Sequence, residues 1–529
     1  MDREPATLPR VLQGAAARHG ARVALRMRGR EVRYAGLWGG ALAMAGGLRA
    51  AGVMPGDRVV LMLPNSPEFV LAYFAIQVAG AIVVPASPLL KPDELAYLLG
   101  DAEPRAVLSV SLCSASIREA RARARMAVPA FMADPEAGAL AEGDRGWRDL
   151  MAGGPGSAPP PPEDAEAVAA CLYTSGTTGR PKGVTTGLWD EATARAVFED
   201  EASVWHFDRR DLHMVCSPMY HTVSIRFAGG TLLSGGSLAI LSHFDAATAL
   251  GVLRRERPST AFLVPTHLHR ILGQPDLGAD ETFGSLRLLV HAGAPCPEPL
   301  KRAAMARVRP GALWEFYGST EAQFTVCAPE EWLEHPGTVG RARVGRRLWI
   351  APWTDDDGGA ERGDDRHDDG SGTVWCDMPR FARFSYWRNP EATAAAWRGP
   401  ACTVGDVGRL DADGYLYLTG RRQDLIISGG VNVYPVEVEN VLAAVAGVRE
   451  VAVFGMPDAE WGQRVCAAFV FDGPPSGRAA AEDALRAAAT AHLAPYKRPK
   501  TYVAAAELPH TATGKLVRRA VPEHLGLEA

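Results

Sequence analysis

Short apolar runs alternate with longer mixed segments along the first hundred residues. Val23-Ala24-Leu25, Arg58-Val59-Val60-Leu61-Met62 and Ala81-Ile82-Val83-Val84 have strand length and leave room for helices between them. Alternation of that kind predicts parallel sheets covered by helices, an α/β fold. Leu238-Ala239-Ile240-Leu241, Ala261-Phe262-Leu263-Val264 and the run through Leu286, Leu288, Leu289 and Val290 extend the same reading. From about Val404 the pattern turns strand-rich, through Tyr415-Leu416-Tyr417-Leu418 and Asp424-Leu425-Ile426-Ile427. A helix over residues 437–444, a strand at Val451-Ala452-Val453-Phe454 and a helix over 479–492 follow. These pieces suffice for a small α+β domain of about a hundred residues. The total of 529 residues also exceeds what one hydrophobic core usually supports.

Residues 69–86 are apolar except at Gln77 and Gly80, and their length is near the lower limit for a membrane span. Pro85 closes the stretch, and β-branched Ile82-Val83-Val84 follows Gly80. It therefore reads as a buried helix followed by a buried strand, and no membrane association is expected. Residues 155–164 are proline-rich and read as an exposed connection. Residues 355–372 are acidic and glycine-rich, with too few apolar side chains to order themselves against a core. Composition is ordinary for a soluble globular protein, 47% hydrophobic and 22% charged. The net charge of −5 gives no general attraction to nucleic acid. Eight cysteines without Cys-x-x-Cys spacing argue against a zinc ribbon or a redox dithiol, and for a reduced cytoplasm. Residues 1–10 lack the apolar stretch of a signal peptide.

The chemistry begins at residues 173–184, Tyr-Thr-Ser-Gly-Thr-Thr-Gly-Arg-Pro-Lys-Gly-Val. Gly176, Gly179 and Gly183 permit positive φ and close backbone approach to a ligand. Successive N–H groups in such a loop form a concavity suited to phosphate oxygens. Thr174, Ser175, Thr177 and Thr178 add hydroxyl donors, and Lys182 adds a positive charge. The spacing is not that of a Walker loop. A flexible polar linker is the other reading of such composition, but the Tyr-Thr start and the Pro-Lys-Gly-Val finish argue for a polyphosphate site.

Four further segments follow: Pro218-Met219-Tyr220-His221, Tyr317-Gly318-Ser319-Thr320-Glu321, Gly405-Asp406-Val407-Gly408 leading to Gly420-Arg421, and residues 508–515 ending in Gly514-Lys515. Taken singly, Asp406 also reads as a turn residue, Glu321 as a helix cap and Tyr317 as core. In this order and spacing the set resembles the superfamily of AMP-forming adenylating enzymes, which includes acyl-CoA synthetases, adenylation domains and luciferases. The resemblance covers nearly the whole chain. It leans toward aromatic and fatty acid–CoA ligases in Ser428-Gly429-Gly430-Val431-Asn432-Val433-Tyr434-Pro435 and Glu460-Trp461-Gly462.

The resemblance implies a role for each residue. Thr174, Ser175, Gly176, Thr177, Thr178, Gly179 and Lys182 hold the β- and γ-phosphates of ATP, and Glu321 holds Mg²⁺. Thr320 contacts the α-phosphate. Tyr317 stacks on adenine, with Gly293, Ala294 and Pro295 as the opposite wall. Asp406 takes the ribose hydroxyls, and Arg421 reaches ribose and phosphate. Lys515 binds the acid oxyanion and α-phosphate in the transition state, where charge placed against developing charge counts most. His221, Arg226 and Gly318 border the acid pocket, and Gly429, Gly430, Asn432 and Trp461 lie on the CoA face. The implied domains are residues 1–421, binding ATP and acid, and residues 422–529, a mobile catalytic lid. The lid turns on a hinge near Arg422-Gln423-Asp424, where relatives usually carry Asp or Lys in place of Gln423.

The substrate is less legible. Arg226 follows His221 by five residues in a run that is small and apolar in fatty acid or benzoate ligases. Pointing to solvent it would be an ordinary surface arginine. Pointing inward it would suit a second carboxylate, a hydroxylated ring or a small inorganic oxyanion. Three functions are therefore weighed. An acid–CoA ligase comes first. The second is an AMP-forming enzyme of specialised metabolism that activates nitrite and transfers it to an amine, as a diazotase or N-nitrosating ligase does. The third is a non-catalytic binding module, which has no need of Lys182, Glu321, Asp406, Arg421 and Lys515 together. The expected partners are a small-molecule acid or oxyanion and possibly an amine acceptor, with the chain a monomer or homodimer.

Overall fold

The computed structural model describes residues 8–134, 140, 143–152, 168–174, 181–188, 191–277, 282–351, 370–421, 424, 426–428, 431–458, 461–493, 495–511 and 515–527. The proline-rich segment 155–164 and most of the acidic segment 355–372 lie outside the described residues.

The apolar runs of the first hundred residues become strands Val23–Met27, Arg58–Met62 and Ile82–Pro85. Two large sheets carry them. In the first, Ile82–Pro85, Arg58–Met62, Ala106–Ser109, Ala130–Met132 and Asp144–Gly146 run parallel. Its far edge is antiparallel, with Val168–Thr174, Lys182–Leu188 and Ser385–Tyr386 in that order. In the second, Leu313–Gly318, Leu288–His291, Thr260–Leu263, Leu212–Val215, Ser237–Ile240 and Val23–Met27 are parallel neighbours, with antiparallel strands at both ends.

The helices Tyr34–Ala50 and Pro67–Val78 fill the space between the two sheets, so both share one core. Residues 69–86 are that second helix and the following strand. Ser66 caps the helix by accepting from the Phe69 amide at 3.1 Å, and Pro67 sits in its first turn, where a missing N–H costs nothing. Among the described residues no helix is long and apolar enough to cross a membrane.

Past residue 340 the architecture departs from the parallel pattern. A third, antiparallel sheet pairs Arg347–Ala351 with Gly372–Asp377, and Asp406–Leu410 with Leu416–Arg421. Strand Leu416–Arg421 carries the run Tyr415-Leu416-Tyr417-Leu418 that was expected in the small domain, while its partner Asp406–Leu410 shows no apolar run of strand length. The C-terminal unit is the expected α+β layer. Long strands Val448–Asp458 and Gly462–Phe471 form its centre, flanked by Ile426–Ser428 and Thr501–Ala505. Helices Pro435–Leu442 and Arg478–His492 cover one face, burying Val438, Leu442, Leu485 and Ala489.

Candidate active site

The glycine-rich loop joins two strands. Val168–Thr174 and Lys182–Leu188 form an antiparallel ladder in which Thr174 stands opposite Lys182. Ser175, Gly176, Thr177, Thr178 and Gly179 lie outside the described residues. Gly183 serves packing and not a left-handed turn. A β-carbon there would sit 2.6 Å from Cys171 Sγ and 3.1 Å from Trp387 Cβ.

Lys182 leaves this ladder with its Nζ 5.1 Å from the centre of the Tyr386 ring. Tyr386 occupies the neighbouring edge strand, in register with Val184. Its hydroxyl donates to Glu321 Oε1 at 3.1 Å, and burial together with the Glu321 charge holds it protonated. Tyr386 was not anticipated. It lies some two hundred residues from the glycine loop, and nothing in its local sequence marks it.

Glu321 is set by a tight turn. The Ser319 amide donates to the Ala322 carbonyl at 2.8 Å, and the Glu321 amide to Ser319 Oγ at 3.2 Å. Gly318 is required here, since a β-carbon would fall 2.4 Å from the Ala322 oxygen. The turn presents Thr320 and Glu321, both half-buried, at the end of strand Leu313–Gly318. A buried ion pair between Lys301 and Glu315 holds that strand against helix Glu298–Met305. No group of three or more metal-ligating side chains occurs among the described residues. A lone carboxylate fits Mg²⁺ carried largely by phosphate and water oxygens, and does not fit an all-protein cage.

Tyr317 is buried, its ring edge-on to Phe324 at 5.5 Å, and its hydroxyl donates to Asp406 Oδ2 at 2.6 Å. Asp406 pairs in register with Arg421 across the third sheet. The two proposed ribose contacts are thus backbone neighbours and Tyr317 is tied to one of them. Gly293, Ala294 and Pro295 form the loop leaving strand Leu288–His291.

Lys515 meets this loop. A β-carbon on Gly293 would be 3.6 Å from Lys515 Cε. The same lysine also lies close enough to His221 for its charge to lower the histidine pKa. Burial is the larger cause, and together they push that pKa to about 3, so the imidazole is neutral. His221 precedes helix Thr222–Leu233, and its ring packs on Tyr220 at 4.6 Å. Buried Asn65 fixes the loop before it, accepting from the Met219 amide at 2.7 Å and donating to the Ser217 and Leu241 carbonyls. Asn65 lies in the loop leaving strand Arg58–Met62 of the first sheet, so it links both sheets to the histidine loop.

Residues 512–514 are outside the described residues, yet their flanks are closed by the Thr511 amide donating to the Lys515 carbonyl at 2.8 Å. Arg518 ties the same segment to Asp424 and Glu439. Of the residues expected at a CoA face and hinge, Gly429, Gly430, Glu460, Arg422 and Gln423 lie outside the described residues. Asn432 lies in strand Val431–Val433, and Trp461 is half-buried beneath Lys500, whose Nζ is 3.3 Å from the ring centre.

Residues 12–383 match the AMP-binding enzyme family, and residues 437–515 match the C-terminal domain of AMP-binding enzymes. The chain belongs to the AMP-binding enzyme family. The feruloyl-CoA synthase of an Amycolatopsis species is 33% identical over 95% of this chain and 96% of its own. The 2-succinylbenzoate–CoA ligase of Geobacillus kaustophilus is 32% identical over 97% of both chains. The crystal structure of ATP-bound MatB from Rhodopseudomonas palustris superposes with a TM-score of 0.83 at 29% identity, covering 98% of this chain and 99% of that one. The AMP-binding enzyme described here is therefore an AMP-forming ligase with the α/β fold that its motif order implied.

Proposed function

We propose that this enzyme adenylates a carboxylic acid with Mg-ATP and then passes the acyl group to CoA. The observation that carries the reading is the meeting of Lys515, from the C-terminal unit, with Gly293 and His221 of the N-terminal unit. Adenylation brings a carboxylate oxygen onto the α-phosphorus while pyrophosphate leaves, so two anions must approach each other. A lysine at that junction offsets their repulsion where charge develops. His221 is neutral and adds no competing charge. Its Nε2 is buried without a hydrogen-bond partner among the described residues, which fits a ring awaiting a ligand.

Lys182 and the described end of the glycine loop would hold the terminal phosphates, and Thr320 the α-phosphate. Glu321, oriented by Tyr386, would hold Mg²⁺, which supplies charge neutralisation of the phosphates. Asp406 and Arg421 would take the ribose, with adenine between Tyr317 and Gly293-Ala294-Pro295. Division into a body of residues 1–421 and a lid of residues 422–529 follows from Lys515 being carried on the C-terminal unit. Departure of that unit after adenylation would free the channel for the thiol, a gating step. Eight free cysteines fit a reducing cytoplasmic setting.

The names of the curated relatives, feruloyl-CoA synthase and 2-succinylbenzoate–CoA ligase among them, favour CoA as acceptor. The test is pyrophosphate release with Mg-ATP across aliphatic, aryl and dicarboxylic acids and nitrite, each with and without CoA. A carboxylic acid giving CoA-dependent turnover and a thioester product supports the ligase. Turnover of nitrite that needs an amine and ignores CoA would replace it with the nitrosating reaction.

A further inference from the structure

Arg226 belongs to a charge cluster outside the nucleotide site. Helix Glu191–Trp205 supplies Asp200 and Glu201, and the loop after strand Arg341–Ala342 supplies Arg343 and Arg346. Arg343 is fully buried and donates to Asp200 Oδ2 at 2.8 Å and to Glu201 Oε1 at 3.1 Å. Arg346, also buried, donates to both Asp200 oxygens at 3.0 Å. The Trp205 indole donates to Glu201 Oε2 at 3.0 Å. Arg226 holds the loosest place, 3.7 Å from Glu201 Oε1. Among the described residues the cluster contains three guanidinium groups against two carboxylates, and the two better-placed arginines already occupy those carboxylates. A surplus positive charge in a desolvated place is expensive unless an anion arrives to match it.

The surroundings of Arg226 show where an anion would come from. Protein encloses its guanidinium, so that burial lowers its pKa, with the charges of Arg343 and Arg346 adding to the effect. Yet 27% of its side chain remains accessible. The guanidinium is thus packed among protein while part of the side chain stays open to a small ligand. On the same helix, Val223 and Phe227 enter the cluster containing Val290, Ala292 and Phe316, beside the Gly293 loop that Lys515 reaches. Ile225 and Ala228 enter the opposite core. Arg226 emerges between these two packed faces, five residues past His221, about 7.5 Å along the helix axis and about 140° around it. Tyr73 lies on its other side, near enough to feel its charge, and the buried Gln77 amide sits against the Tyr73 hydroxyl without a well-formed hydrogen bond.

We propose that Arg226 is a specificity-determining residue that receives a second, distal carboxylate of the substrate, making the preferred acid a dicarboxylate with a spacer of several atoms. The inference rests on the acid–ligase reading. The carboxyl to be activated sits at Lys515 and His221, and the distal one pairs with Arg226, completing the charge balance with Asp200 and Glu201. A bidentate arginine–carboxylate contact fixes which end of the acid is adenylated.

The test compares matched probes on the full-length enzyme. Linear dicarboxylates with two to eight methylenes, and aryl dicarboxylates, are each measured against their monomethyl esters by pyrophosphate release with Mg-ATP and CoA. At least one diacid should exceed its ester in kcat/KM by more than the roughly 100-fold an apolar pocket can supply, toward the roughly 10⁴-fold of a site built for a polar group. R226M should collapse that ratio to about threefold or less, with thermal unfolding reported alongside. The wild-type ratio decides the matter even where the variant does not fold. Esters and monoacids used as well as diacids would overturn the inference and leave the ligase standing. Absence of turnover with every carboxylic acid would remove the ligase reading as well.

Discussion

At the proposed phosphate end of the site, Lys182, Tyr386 and Glu321 come from neighbouring strands and a tight turn, and each contact is single. At the proposed acid end, Arg226, Asp200, Glu201, Arg343 and Arg346 come from two helices and a loop, and every carboxylate is shared. The first arrangement is set by backbone ladders and turns. The second is a network of charges whose geometry depends on every member. The nucleotide is common to the whole family, so its residues can sit in recognisable motifs. The acid differs from relative to relative, and its residues need only meet in space.

Removing the single lysine should have the largest effect on chemistry. K515A should lower adenylation by about 1,000-fold while leaving thermal stability near wild type, since Lys515 is exposed. Pyrophosphate release and a melting curve together check this, and unchanged release would remove Lys515 from the transition state. The network end should answer in the opposite sense. R343A leaves Asp200 and Glu201 short of a buried partner and should cost about 3–5 kcal/mol of stability. Urea unfolding reads it, and a loss under 1 kcal/mol would mean that the charges relax independently.

Smaller effects sharpen the contrast. Y386F removes one hydrogen bond to Glu321 and should lower kcat/KM about 10-fold, with the loss partly recovered at high Mg²⁺. A loss that ignores Mg²⁺ would separate Tyr386 from the metal-holding carboxylate. His213, stacked on Phe227 beneath the acid-pocket helix, is pushed to a pKa of about 4 by burial. Its neutral form is favoured in the folded chain, so this stability is complete above pH 6.5 and lost as pH falls toward 4. The slope is about 1.4 kcal/mol per pH unit for each such histidine. H213Q should flatten the decline of the melting temperature across that window, and an unchanged profile would contradict it. The smallest expected effect is none. His221, with a pKa of about 3, should contribute no limb to the kcat/KM profile between pH 5 and 8. A limb near pH 6.5 that vanishes in H221A would show that it titrates.

The same contrast explains what was legible in the sequence. Strand Arg58–Met62 matches its apolar run to the residue, because a buried parallel strand has to be apolar on both faces. The other early runs match to within two residues. Glu321, Asp406 and Lys515 stood out because turn chemistry surrounds them with glycine, serine and threonine. Gly183 stood out for a different reason from the one that operates, since its lack of a side chain serves packing against Cys171 and Trp387. Tyr386, Asn65 and the partners of Arg226 carried no signal, because each is defined by contacts between separate elements, 65 residues apart for Tyr386 and Glu321 and 154 for Asn65 and Met219. Of the third sheet only the run at residues 415–418 was legible, and it was assigned to the small domain because nothing in the run itself states its pairing with Asp406–Leu410.

The most direct test of the central claim is a product analysis of the wild-type enzyme with Mg-ATP, its best carboxylic acid and CoA. The account predicts AMP, pyrophosphate and an acyl-CoA thioester in equal amounts, with thioester formation abolished in K515A. Formation of ADP and phosphate, or a thioester yield unaffected by loss of Lys515, would contradict it.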